Sequence, residues 1–109
     1  MKKLPYTART GTGDVYQIAF PLHQETGSAV DVENILSAVL ATIDREVGVS
    51  GGRISNGDVL QAVAMAMAIR SGMIAAPHAT TSALSQDLLA VSLGAFSEAE
   101  KAELPAGHA

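Results

Sequence analysis

Cysteine is absent from the 109 residues, and so is tryptophan. Without cysteine there is no disulfide framework, no thiol nucleophile and none of the usual cysteine-based zinc sites. The absence also fits a reducing compartment, and a cytoplasmic location is expected. Charge is scarce as well: 17% of the residues are charged, against roughly 25% in ordinary soluble domains. With 48% hydrophobic residues, the polar surface is thin for a monomer, so part of the apolar surplus is expected to meet another chain. Seven Lys and Arg stand scattered against eleven Asp and Glu, for a net charge of -4. A protein that neutralises phosphates needs a clustered basic patch, so a nucleic-acid partner is not expected.

Long hydrophobic runs are missing too. The most apolar stretch, Ala62 to Ile69, is eight residues long, whereas a membrane span takes about 20. Gln61, Arg70, Ser71 and Gly72 bracket it, and the reading is a buried helix with no membrane role. The first residues carry two lysines in the manner of a signal peptide. Pro5, Thr7, Arg9 and the glycines then interrupt before an apolar region of about 7 to 15 residues can form, so an uncleaved chain is expected. At this length the expectation is a single small domain over 1–109. Residues 1–13 read as flexible or as a weak strand, and 105–109 as a frayed tail.

From Asp14 to Leu22, "DVYQIAFPL" sets Tyr16, Ile18 and Phe20 on one face and Val15, Gln17 and Ala19 on the other, the alternation of a half-buried strand. Leu4, Tyr6 and Ala8 alternate more weakly upstream, and Thr10 to Gly13 offers a glycine-rich hairpin turn. A lone hairpin is marginal in water and needs helices or another chain to cover it.

Three helical patterns follow. In "AVDVENILSAVLATIDREV", Val32, Leu36, Val39, Leu40, Ile43 and Val47 form one stripe, with Asn34, Ser37, Ala41, Asp44 and Arg45 opposite. Ser28 or Asp31 supplies the cap, and Gly48 a left-handed stop. After the flexible loop "GVSGGRI", Ser55 and Asp58 make a Ser-x-x-Asp cap for the second helix. That helix has two packable sides. Val59, Leu60, Val63, Met67, Met73 and Ile74 share a broad large-residue side, while Ala64, Ala68 and Gly72 form a small-residue line on the other. A helix apolar all round is central to its structure, and Ala64, Ala68 and Gly72 are the candidates for an oligomer interface. Arg70 suits the helix dipole near the C-terminus, with Asp44, Glu46 or a residue across an interface as the expected partner. The third helix spans Ser82 to Leu93, stopped by Gly94. "SEAEKAEL" reads as a short fourth helix capped by Ser97 and Glu100.

Motifs that carry chemistry are weak. "GVSGG", Gly48 to Gly52, satisfies the Gly-x-Ser-x-Gly pattern of a nucleophile elbow, but that elbow follows a buried strand in a large parallel sheet. Here a helix precedes it, and the stretch reads as a linker. "GTGD" at Gly11 to Asp14 lacks the third glycine of a dinucleotide fingerprint and precedes a strand, where the fingerprint follows one. His23 and His78 have no second ligand at metal-like spacing, so neither a metal nor a cofactor is expected. Met65, Met67 and Met73 read as core filler, with an adaptable apolar pocket as the functional alternative. Gly51, Gly52 and Arg53 lead into a helix start whose free amides suit an anion, although Ser55 and Asp58 already serve those amides.

The expected fold is therefore α+β and mainly helical, an N-terminal strand or hairpin followed by three to four helices. The chain is expected to form a homodimer through the second helix, the strand edge, or both, with a further protein partner allowed. The functional expectation is a small soluble non-enzymatic interaction or regulatory protein. The alternative is a small-molecule (anion) binding protein or enzyme subunit, with Arg53, Ser55 and His78 converging at the chain interface.

Overall fold

The computed structural model describes residues 2–11 and 13–102. In chain order these form strands β1 (Lys3–Arg9) and β2 (Val15–Pro21), helices α1 (Ala29–Val49), α2 (Asn56–Gly72) and α3 (His78–Ser97), and strand β3 (Glu100–Ala102). The sheet is antiparallel in the order β1-β2-β3. The α+β, mainly helical class holds, with three helices.

The hairpin is regular over its whole length, from Lys3 opposite Pro21 to Arg9 opposite Val15. Its turn is closed by the Thr10 amide donating to the Asp14 carbonyl at 2.9 Å and the Gly13 amide donating to Thr10 at 3.0 Å. Gly13 has φ of 92° there, a conformation that excludes most side chains. Thr12, within the expected turn, lies outside the described residues. Leu4, Tyr6 and Ile18 are buried on the helix-facing side, as the alternation predicts. Val15 is buried as well, although the alternation sets it on the outer face; its register partners Arg9 and Ala102 flank it on both neighbouring strands.

Ser28 caps α1, its hydroxyl accepting from the Asp31 amide at 3.1 Å. The helix does not stop at Gly48 but runs through it to Val49, and Ser50 ends it by donating its hydroxyl to the Val47 carbonyl at 2.7 Å. The left-handed positions come later, at Gly51 and Gly52, with φ of 64° and 90°. The loop is an ordered turn, since the amides of Arg53 and Ile54 donate to the Ser50 carbonyl and hydroxyl.

At α2 the capping box forms as expected. The Asp58 amide donates to the Ser55 hydroxyl at 3.1 Å, and the Ser55 amide donates to the Asp58 carboxylate at 2.9 Å. Helix α3 begins four residues before its expected start, because Pro77 takes the N-cap position, with ψ of 139°, and its carbonyl accepts from the amides of Thr80 and Thr81. Gly94 does not stop it, and it continues to Ser97.

The expected fourth helix is absent among the described residues. Glu100–Ala102 is instead a strand on the second edge of β2. The Ser97 hydroxyl, expected to cap a new helix, turns back to the Gly94 carbonyl at 2.6 Å. An unpaired strand edge carries unsatisfied amides and carbonyls, and pairing outweighs three residues of helix preference. Residues 105–109, expected to fray, lie outside the described residues.

Packing between the layers is sparse. Tyr16 and Phe96 meet at 5.0 Å between ring centres, which seats α3 on β2. Tyr6 and Ser37 share a hydrogen bond of 2.9 Å, which ties α1 to β1. Ser37 keeps the exposed position expected on the polar side of α1, and the tyrosine hydroxyl meets it there. The buried apolar residues, Leu4, Tyr6, Val15 and Ile18, all belong to the hairpin; the one buried helical residue among those described is Thr81. No described helix is long and apolar enough to cross a membrane.

Candidate functional site

The feature most in need of a functional account is the apolar surface of the helices. At 100° per residue, the outward face of α2 carries two parallel rows, Ala64-Ala68-Gly72 and Met65-Ile69-Met73, and all six residues are exposed. Ile69 is 66% exposed and Met65 55%. The broad large-residue side is turned partly inward, with Val59 and Met67 half-buried, yet Leu60 on that side remains 72% exposed. A Cβ added at Gly72 would meet nothing within 4 Å. The small row is therefore not explained by close packing inside the protomer.

The other helices repeat this. On α1, Val32, Ile35 and Val39 form an uncovered flank of the apolar stripe, and on α3 Leu89 and Leu93 face solvent. The whole protomer, its nine undescribed residues included, exposes 8153 Å², where a compact monomer of 11.2 kDa exposes about 5,700 Å².

Two concavities among the described residues bear on function. A groove of about 320 Å³ between the end of α1 and the start of α2 is walled by Ile43, Val47, Ile54, Val59 and Val63. A cleft of about 660 Å³ lies between the β2–α1 loop and α3, with Leu22, Leu88 and Val91 as apolar wall and Lys2, His23 and Asp87 as ionisable groups. His23 is held in its loop by accepting the Glu25 amide at Nδ1, at 3.1 Å, so its contact with Glu25 is through the backbone and not the carboxylate. Sequence reasoning missed Lys2 and Asp87 because they come from opposite ends of the chain, and only the packing of α3 beside the loop brings them to one cleft.

Arg53 and Ser55 adjoin each other at the start of α2, both exposed. The Ser55 hydroxyl and amide are already engaged in the capping box. His78 begins α3 after a tight turn in which the Ile74 amide donates to Ser71 and the Ala76 amide to Ile74. It therefore sits beyond the far end of α2, a helix of 17 residues that is about 25 Å long. Within one protomer the three residues do not converge.

Arg70 makes no ion pair among the described residues. Its guanidinium donates to the Met73 sulfur at 3.4 Å, while Glu46 pairs with Arg45 at 3.7 Å. The Ser50 hydroxyl, in the Gly-x-Ser-x-Gly match, is spent on ending α1 and receiving the Ile54 amide. No group of three or more His, Asp or Glu among the described residues is placed to hold a metal. The chain matches no protein-family model, no curated protein and no solved structure, and its functional reading rests on its own geometry.

Proposed function

We propose that the chain is a homo-oligomeric interaction or regulatory protein, a dimer in its simplest form, whose working surfaces are made when copies associate. The observation that carries this reading is the surface excess of the protomer. The difference between 8153 Å² and the compact expectation is on the order of 1,500 to 2,500 Å² per chain, the lower figure setting the nine undescribed residues aside at full exposure. Two copies that hid such an area would bury about 3,000 to 5,000 Å², within the range of obligate assemblies.

The helices, not the sheet edge, are the favoured route. Backbone pairing in the hairpin runs through the even-numbered residues of β1, as the Leu22 amide on the Lys2 carbonyl fixes. The free edge then belongs to Lys3, Pro5, Thr7 and Arg9. Proline has no N–H to give, and two cations on an edge oppose strand addition. A cysteine-free chain suits the cytoplasm, where we expect it to act.

Light scattering tests the reading directly. A mass of twice 11.2 kDa or more at micromolar concentration is expected, and a monomer would refute it. One observation favours a second reading, small-molecule binding. The cleft beside His23 offers both signs of charge and an apolar wall, whereas Arg53, Ser55 and His78 could meet only across two chains. A panel of small carboxylates and amines separates the two readings by thermal shift. The interaction reading predicts no shift; a ligand that raises the melting midpoint, with the effect lost in Asp87→Ala, establishes the cleft as a site.

A further inference from the structure

We infer that the two copies fold as one unit, with α2 against α2 at its centre, so that the helical layer is stable only in the dimer. This rests on the homo-oligomeric reading and goes beyond docking of finished protomers. Every buried apolar residue among those described belongs to the hairpin. The three helices, which make up most of the chain, have no apolar residue of their own fully withdrawn from water. Helix α1 spans 21 residues, yet it touches β1 at few points, and the Tyr6 hydroxyl is its one side-chain hydrogen bond to the hairpin among the described residues. Helices gain most of their stability from packing an apolar face, not from propensity, and in the protomer that packing is largely missing.

The outward face of α2 fits a second copy of itself. From Val59 to Ile69 it carries no charged residue, and the charge that follows is Arg70, whose guanidinium lies on the Met73 sulfur at the end of the ridge, so along that stretch two chains of net charge -4 meet without opposing carboxylates. Its rows are also complementary. Around a two-fold axis, the ridge Met65-Ile69-Met73 of one copy lies in the shallow track Ala64-Ala68-Gly72 of the other, and the reverse contact follows by symmetry. The unmet area, on the order of 1,500 to 2,500 Å² per chain, exceeds what a standard docking contact hides and matches a shared core.

Urea unfolding of the full chain, followed by helicity and by mass together, is the test. Concentrations of about 1 and about 100 μM differ by two decades, about 2.8 kcal/mol in a dimer–unfolded equilibrium. With a slope of about 2 to 3 kcal/mol per molar urea, the midpoint is expected to rise by about 1 M. Mass and helicity should be lost in the same transition. Ala68→Leu, which keeps a strong helix former on an exposed face of the protomer, should raise the dissociation constant by about tenfold or more through overpacking. If the mass halves while helicity persists, the shared fold is overturned and the dimer reading stands. If the chain is a folded monomer throughout, both fall. An Ala68→Leu dimer of unchanged affinity removes α2 from the centre.

Discussion

Ile69→Ala separates an exposed residue from one covered only in the assembly. In the protomer Ile69 is 66% exposed, so most of its side chain has already been charged against water. Truncating a fully buried isoleucine destabilises by about 2 to 5 kcal/mol, and the one third that is covered here scales to about 1 kcal/mol. Alanine returns a few tenths of that through its higher helix propensity. For an isolated protomer the net loss is therefore about 0.5 to 1 kcal/mol, close to that of an ordinary surface substitution. If a second chain covers Ile69, the loss is at least about 2 kcal/mol per copy, and a two-fold dimer contains two copies. The dimer then weakens by about 4 kcal/mol, about a thousandfold in dissociation constant.

Sedimentation or light scattering across a dilution series reads this difference. Asn34→Ala, on the exposed polar side of α1, is the control and is expected to leave the mass unchanged. An Ile69→Ala chain whose dissociation curve overlays that of the parent would refute the placement of the Met65-Ile69-Met73 row in an interface. Loss of dimer in both variants would show general fragility and would equally refute it.

Three further substitutions probe the local reasoning. Ser55→Ala removes the hydroxyl that receives the Asp58 amide and should destabilise by about 1 kcal/mol in urea unfolding at fixed concentration. Gly52→Ala forces a side chain into a backbone of φ 90° and should lose about 1 kcal/mol, whereas Gly48→Ala, inside α1 with open space around it, should gain about as much. Equal effects at the two glycines would show that the end of α1 is misplaced. Tyr6→Phe breaks the bond to Ser37 and should cost about 1 kcal/mol, with faster amide exchange along α1 than along α3.

Much of the fold was legible because local signals agreed with it. Tyr16, Ile18 and Phe20 alternate, the Thr10–Gly13 stretch can turn, and Ser55 with Asp58 can cap only a helix start. The errors fall where a distant part of the chain decides. Gly48 and Gly94 resemble helix stops, but no turn is needed until Gly51 and Ser97, and a glycine within a helix is tolerated at about 1 kcal/mol. Glu100–Ala102 has helix-forming residues and a Ser-x-x-Glu signature, yet it lies where β2 has a free edge. That edge is some eighty residues away in sequence, so no window around Ser97 contains it.

The candidate site was legible for a different reason, and only in part. On α1 the apolar residues leave a wet side, which fixes the rotation of the helix about its axis before any neighbour is known. Helix α2 gives no such phase, since apolar residues surround it. The sequence could therefore say that two sides were packable, but not which one the protomer uses. The structure supplies the phase, because Val59 and Met67 are half-buried while Ala64, Ala68 and Gly72 are exposed. The small row is thus the outward one. A small row is of no use against water, where it hides little area, and Gly72 in an exposed helix costs stability relative to alanine. It becomes useful only when another backbone comes close enough to need the space, and the open volume around Gly72 means that no backbone of the same protomer does.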